Sequence, residues 1–168
     1  MYKIFVSALV FDDGKSGISN YIENSVYHLA QSNKMHVAIL KKDINNYTRK
    51  HKNIRFIVYP DILKHSILNL LFHFFVLPFI ISWKYDFLFL PAANRRLMLF
   101  YPLYTIATFH DLSQFYIEGK YDFFRMIYIK YFIPLFLKGV HKIIAVSNNT
   151  KQDMLKYLNL KDKDIFVN

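Results

Sequence analysis

Two stretches of this chain change character in a way that brings polar side chains to the edge of a sheet. Thr-Phe-His-Asp-Leu (108–112) and Ile-Ile-Ala-Val-Ser-Asn-Asn-Thr (143–150) each begin as apolar, β-type runs and end abruptly in hydrogen-bonding residues. In an open parallel sheet this is how the carboxyl end of a strand meets a ligand crevice. His110 can hydrogen-bond a sugar hydroxyl or carry a proton near neutral pH, and Asp111 can orient it or cap the following turn. A purely structural His-Asp pair would read the same, so both readings stand. Ser147 and Asn148 lead straight into a helical pattern. An N-cap, a pair of donors facing the crevice, or both at once would account for them.

A third polar stretch follows the first apolar run. Two of the chain's four glycines, Gly14 and Gly17, lie in the loop from Asp12 to Ser19. Glycine lets backbone approach a ligand closely, and the helix start that follows offers amides to an anion. A phosphate or sugar cradle and an ordinary strand-to-helix turn are the alternatives. The G-x-G-x-x-G fingerprint is absent, and Leu40 at the end of the second strand is followed by Lys41 and Lys42 rather than an acid. Dinucleotide binding is therefore not expected. Arg95 and Arg96 could meet a phosphate or lie solvated. The remaining histidines lack metal-ligand spacing, and Asp162-Lys163-Asp164 sits in a lysine-rich turn, so no metal site is expected.

These loops need strands to hold them. Apolar runs predict strands over 3–10, 35–40, 54–59, 85–90, 104–109, 142–146 and 165–167. Between them lie helical patterns: one carrying Ile18, Tyr21, Ile22, Val26 and Leu29, an apolar one from 63 to about 83, one from about 122 to 138, and one from Ser147 to about 158. In the third helix Pro134 predicts a bend and Gly139 a C-cap. Strands alternating with helices predict an α/β fold: a single domain with a parallel sheet of about six to seven strands flanked by helices. Residues 66–83 approach the length of a membrane span. Asn69, His73, Pro78 and the charged flanks speak against one, and two parallel strands need a crossover helix here. A core-facing crossover is the expectation, with a helix that also leans on a membrane surface as the alternative.

Hydrophobic residues make up 54% of the 168, which excludes a disordered chain and suits one substantial core. The absence of cysteine removes disulfides and thiolate metal sites and fits a reducing compartment. The start of the chain has no basic n-region, so no signal peptide is read there. A net charge of +10 draws a protein to nucleic acid, anionic lipid or phosphorylated small molecules. The basic residues are scattered and no recognition helix is evident, so nucleic acid is not an expected partner. A peripheral membrane habit and a merely solvated surface remain the alternatives.

Taken in order, Gly-Lys-Ser-Gly-Ile-Ser-Asn-Tyr-Ile (14–22), Thr-Phe-His-Asp-Leu and Lys-Ile-Ile-Ala-Val-Ser-Asn-Asn-Thr-Lys-Gln-Asp (142–153) resemble retaining family-4 glycosyltransferases of the GT-B fold. The resemblance covers nearly the whole chain as the N-terminal, acceptor-side Rossmann-like domain. It implies transfer of a sugar from a nucleotide-sugar, as substrate rather than cofactor, to a glycan or lipid-linked acceptor. Retention at the anomeric carbon and independence from metal are implied too. His110 matches the position that contacts the transferred sugar, Gly17 the loop near the donor phosphates, and Asp111 and Ser147 positions that shape the crevice. The implied site is thus His110 and Asp111 as catalytic residues, with Gly14, Gly17, Ile18, Arg95, Ser147 and Asn148 binding donor or acceptor.

Family members hold the donor nucleotide in a second domain, which residues 1–168 lack. The resemblance therefore implies little activity for this chain unaided and a place for a partner chain that carries the donor domain. A non-catalytic assembly module or a truncated remnant is the alternative. The expected location is cytoplasmic, at the inner face of the membrane.

Overall fold

A computed structural model of the protein describes residues 1–81, 83–93, 96–112, 127, 131–158, 160 and 165–168. Seven strands carry the apolar runs: β1 (Lys3–Ser7), β2 (Lys34–Leu40), β3 (Ile54–Tyr59), β4 (Phe87–Leu90), β5 (Tyr104–Phe109), β6 (Lys142–Ala145) and β7 (Ile165–Val167). All neighbours pair in parallel, in the order β3-β2-β1-β4-β5-β6-β7. The chain steps outward from β1 to β3, then crosses back to lay β4 against the other side of β1. The strand order thus reverses between β1 and β4, the place where such sheets open a crevice.

Right-handed crossovers send connections that run in opposite directions to opposite faces of the sheet. Helix α1 (Gly17–Ala30) covers one face, packing Ile22, Val26 and Ala30 against Ile4, Val6, Met35 and Val37. The other face carries a helical run over 66–81, α4 (Ile133–Leu137) and α5 (Asn148–Leu158). Leu77, Ile81, Ile133, Leu137, Met154 and Leu158 bury there against Phe5, Leu88, Leu90 and Ile143. Alternation along β1 sends Ile4 and Val6 to one layer and Phe5 to the other.

The run over 66–81 is built from α2 (Ser66–Leu71), a π turn (Phe72–Val76) and α3 (Leu77–Ile81). Pro78 has no amide to give the Phe74 carbonyl, and its ring crowds that turn. The wider π turn just ahead of it absorbs the mismatch without ending the helix.

Several expected details are corrected. The first strand ends at Ser7 rather than Val10: Ala8, Leu9 and Phe11 stay buried in a turn closed by Phe11 N–H donating to Ala8 O at 3.0 Å. The fourth strand starts at Phe87 rather than Tyr85. On α1, Leu29 is 38% exposed and Ala30 takes the inward place, fully buried with Ile22 and Val26. Part of the expected helix from 122 to 138 lies outside the described residues, as do Arg95 and the Asp162–Asp164 triplet. Pro134 is the second residue of α4 and follows the π-helical Tyr131 and Phe132. Gly139 does not take the left-handed C-cap conformation, since Gly14 is the glycine with positive φ. A Cβ at Gly139 would come within 2.6 Å of the Tyr101 ring, so packing against that ring is what requires glycine.

Candidate functional site

His110 follows β5 and is held from three sides. Its Nε2 lies 2.7 Å from the Pro91 carbonyl oxygen, which can only accept, so Nε2 carries the hydrogen. In the neutral ring that leaves Nδ1 as the basic nitrogen. The edge of the ring meets the Tyr21 ring of α1 at 5.0 Å and 90°. Tyr21 in turn hydrogen-bonds Thr108 Oγ1 at 3.0 Å. The loop after β4 and helix α1 thereby set the position and tautomer of a side chain at the end of β5. Asp111 follows it as an exposed side chain.

The start of α5 is braced to the same point. Thr150 Oγ1 donates to the His110 carbonyl at 3.2 Å, so the Ser147 hydroxyl donates to Thr150 Oγ1 at 3.0 Å. Ser147 Oγ also accepts the Thr150 amide at 3.1 Å. Ser147 is therefore the N-cap, and its one hydrogen is spent within the protein. Its contribution to a ligand is indirect, through the His110 backbone. Asn148, the first residue of α5, is exposed.

The glycine loop is organised by an acid. Asp12 Oδ1 accepts from the Ser16 amide (3.1 Å), Ser16 Oγ (3.0 Å) and Ser19 Oγ (2.6 Å). Burial pushes the Asp12 carboxyl up, yet the hydrogen bonds from Ser19 and Ser16 outweigh it and hold the group below its ordinary value. Asp13 (φ 61°) and Gly14 (φ 77°) form the centre of a turn closed by Lys15 N–H on Asp12 O at 3.2 Å. Two successive positive φ values define a type I′ turn, which explains Gly14 by backbone geometry. Gly17 is different. A Cβ there would meet nothing within 4 Å, and the Gly17 and Ile18 amides make no hydrogen bond to the described residues. A carboxylate already occupies part of this helix start, and what remains open to an anion is that pair of amides. The Ile18 side chain packs against the α1 layer of the core, so its share of the site is backbone.

Beside this loop, Asp13 faces Asp43, a fully buried acid after β2. Lys42 Nζ stands 2.8 Å from Asp43 Oδ1 and 3.6 Å from Asp13 Oδ1. Asp43 Oδ2 accepts no hydrogen bond, and a proton on Asp43 donated to Asp13 resolves that orphan. Burial pushes Asp43 up, and the hydrogen bond from Asp43 brings Asp13 down to about 2. The raised Asp43 contributes stability that is present below the unfolded carboxyl value near 4 and lost as pH rises through its folded value. The depressed Asp13 contributes stability that is present above that unfolded value and lost as pH falls towards 2. Asp43→Asn keeps a donor for Asp13 without the ionisation. Its melting temperature relative to the parent should therefore be more favourable at pH 7 than at pH 4. A difference flat across that range would sink the shared-proton reading.

At the reversal point between β1 and β4 lies a buried network that the motifs did not reveal. His73 Nδ1 sits 2.8 Å from the Asn69 carbonyl, so it donates, and Nε2 accepts from Ser7 Oγ at 2.7 Å. Burial pushes His73 down to about 3, which keeps the ring neutral. Asn69 Nδ2 donates to Leu9 O at 2.9 Å and Leu63 O at 2.8 Å, while its Oδ1 accepts from Arg96 Nε. The crossover helix thus ties the end of β1, the loop after it and the loop after β4 into one unit. The available signal was the pair Asn69 and His73, four residues apart in an otherwise apolar run.

Ser7, Val10, Leu90, Ala92 and Arg96 line a depression of about 160 Å³ there, open solvent included. Pockets that enclose small molecules start at roughly 300 Å³. No group of His, Asp or Glu side chains among the described residues could hold a metal ion.

A parallel sheet that reverses between β1 and β4, with polar loops converging on its carboxyl edge, is the plan of Rossmann-like ligand-binding domains. The model of Glycosyltransferase Family 4 matches residues 15–167, and the chain belongs to that family. No close match is found among curated proteins.

Proposed function

We propose that this domain is the acceptor-side half of a retaining, metal-independent GT-B glycosyltransferase. It presents a glycan or lipid-linked acceptor to a nucleotide-sugar whose nucleotide is held by a second Rossmann-like unit. The observation that carries the reading is His110, whose ring is fixed in one tautomer by the Pro91 carbonyl and meets Tyr21 edge-on at the end of β5. Positive charge develops on the sugar as the leaving group departs, and a fixed dipole at the sugar stabilises it without reorganising. The exposed Gly17 and the amides of Gly17 and Ile18 suit the departing diphosphate. Asp12, Ser16 and Ser19 keep that helix start rigid, so the amides need not be ordered on binding. In this reading Asp111 acts beside His110, Asn148 binds donor or acceptor, and no cofactor takes part.

The test is transfer of radiolabelled sugar to a polyprenyl-linked or glycan acceptor, with this chain alone and with a donor-binding unit supplied. Acceptor binding by the chain, with turnover only when the donor unit is present, is the expected result. Robust turnover by the 168 residues alone would refute the division of labour. A stable complex with a donor unit that never transfers sugar would favour an assembly module instead.

A further inference from the structure

The helical run over 66–81 has two faces with opposite fates. Asn69, His73, Leu77 and Ile81, four residues apart, are at most 1% exposed and hold the run to the sheet. Ile67, Leu71, Phe75 and Phe79, also four apart, are exposed by 60, 44, 56 and 68%. An every-fourth-residue row drifts around an α-helix of about 3.6 residues per turn. The π turn over Phe72–Val76 advances less per residue and offsets that drift, so the outward row stays straight. From Ile67 to Phe79 the row is about 18 Å long at 1.5 Å per residue.

It ends at Trp83, the chain's one tryptophan, which is 97% exposed and sits at φ 72°. A left-handed conformation costs a bulky residue about 1 kcal/mol or more, and nothing in the fold is gained from this side chain. The row also widens sideways. Phe79 meets the exposed Phe100 at 5.2 Å, and Phe74 packs on Phe136 of α4, whose neighbour Leu135 is exposed as well.

We propose that this face docks on an anionic lipid surface, with the run lying in the plane of the interface. Charge selects the occupant. Residues 65–83 hold no Asp, Glu, Lys or Arg, and the stretch is bounded by Lys64 and Lys84, in a chain of net charge +10. An apolar strip with lysines at both ends and tryptophan at its edge matches the layers of a membrane interface. The buried hydrogen bonds of Asn69 and His73 keep the run on the sheet. No helix among the described residues is long and apolar enough to cross a membrane. The surface does not depend on glycosyl transfer: docking can fail with transfer intact, and the reverse.

Trp83 makes the test direct. The whole chain is titrated with vesicles of phosphatidylcholine alone and of phosphatidylcholine and phosphatidylglycerol in equal parts, following tryptophan emission and co-sedimentation. A blue shift and pelleting with the anionic vesicles are expected, weakened by salt. Phe75→Glu with Phe79→Glu should weaken binding by about tenfold or more, with circular dichroism unchanged because both sites are exposed. Lys64→Glu with Lys84→Glu should weaken it without touching the apolar row. Equal binding to neutral vesicles, or no shift on either, overturns the proposal. So does a concentration-dependent dimer that the phenylalanine substitutions dissolve, since a second copy would then be the occupant.

Discussion

Replacing Asn69 by alanine should lower the unfolding free energy by about 3–5 kcal/mol, a large part of what a domain of this size has. The side chain is 1% exposed and serves three partners. Truncation strands the Leu9 and Leu63 carbonyls, each buried by the helix that carries Asn69, and removes the acceptor that orients Arg96. A buried polar group left without its partner costs about 1–3 kcal/mol, more than the bond itself contributes. Arg96→Met removes one of the three bonds together with whatever else Arg96 contacts, so its loss is an upper bound on that bond. Asn69→Asp should be at least as damaging as alanine, because a carboxylate would face two carbonyl oxygens. Urea unfolding followed by circular dichroism ranks the three. A loss of about 1 kcal/mol or less for Asn69→Ala would mean that the two carbonyl contacts contribute little.

The second large effect concerns activity. In a complete transferase containing this domain, His110→Ala should cut kcat by roughly 10²–10³-fold, the usual consequence of deleting a fixed dipole at a site of developing charge. The donor KM should move little, since the nucleotide is held elsewhere in the proposed arrangement. Tyr21→Phe provides the control. It keeps the ring against His110 and loses the hydroxyl contact to Thr108, so a few-fold loss is expected. Steady-state kinetics on the two variants would settle the role. Activity of His110→Ala within about threefold of the parent would return His110 to a structural pair.

Much of the frame was legible in the residues. The third, fifth and seventh strands fall where the apolar runs put them, at Ile54–Tyr59, Tyr104–Phe109 and Ile165–Val167. Each run is cut off by a polar residue or proline, Asn53 and Pro60 for the third, His110 for the fifth, and Asp164 and Asn168 for the seventh. The first run misled past Ser7 because Ala8, Leu9 and Phe11 are buried in a turn, and burial looks the same in a turn as in a strand. Ser147 was readable as an N-cap because capping is local: the acceptor and the amide it serves are three residues apart. Gly14 was readable as a turn residue for the same reason.

Long-range partners were not readable. His110 could be suspected, but its tautomer depends on the Pro91 carbonyl, 19 residues earlier. The carboxylate that fills part of the glycine loop's helix start comes from Asp12, and no spacing rule announces that it turns inward. Asn69 and His73 looked like interruptions in an apolar helix, yet they reach the end of β1 and the loop after it across 66 and 60 residues of chain, and the loop after β4 across 27.

By itself, the amino-acid sequence determined the alternation of strands and helices, the parallel sheet and the polar ends of its central strands. Periodicity and local capping are properties of neighbouring residues and survive without a fold. Tertiary structure alone decided which polar groups meet: the tautomer of His110, the Asp13–Asp43 pair and the anchor at Asn69. Such choices follow from burial, because a group shut away from water must find whichever partner the packing brings to it, however distant in the chain.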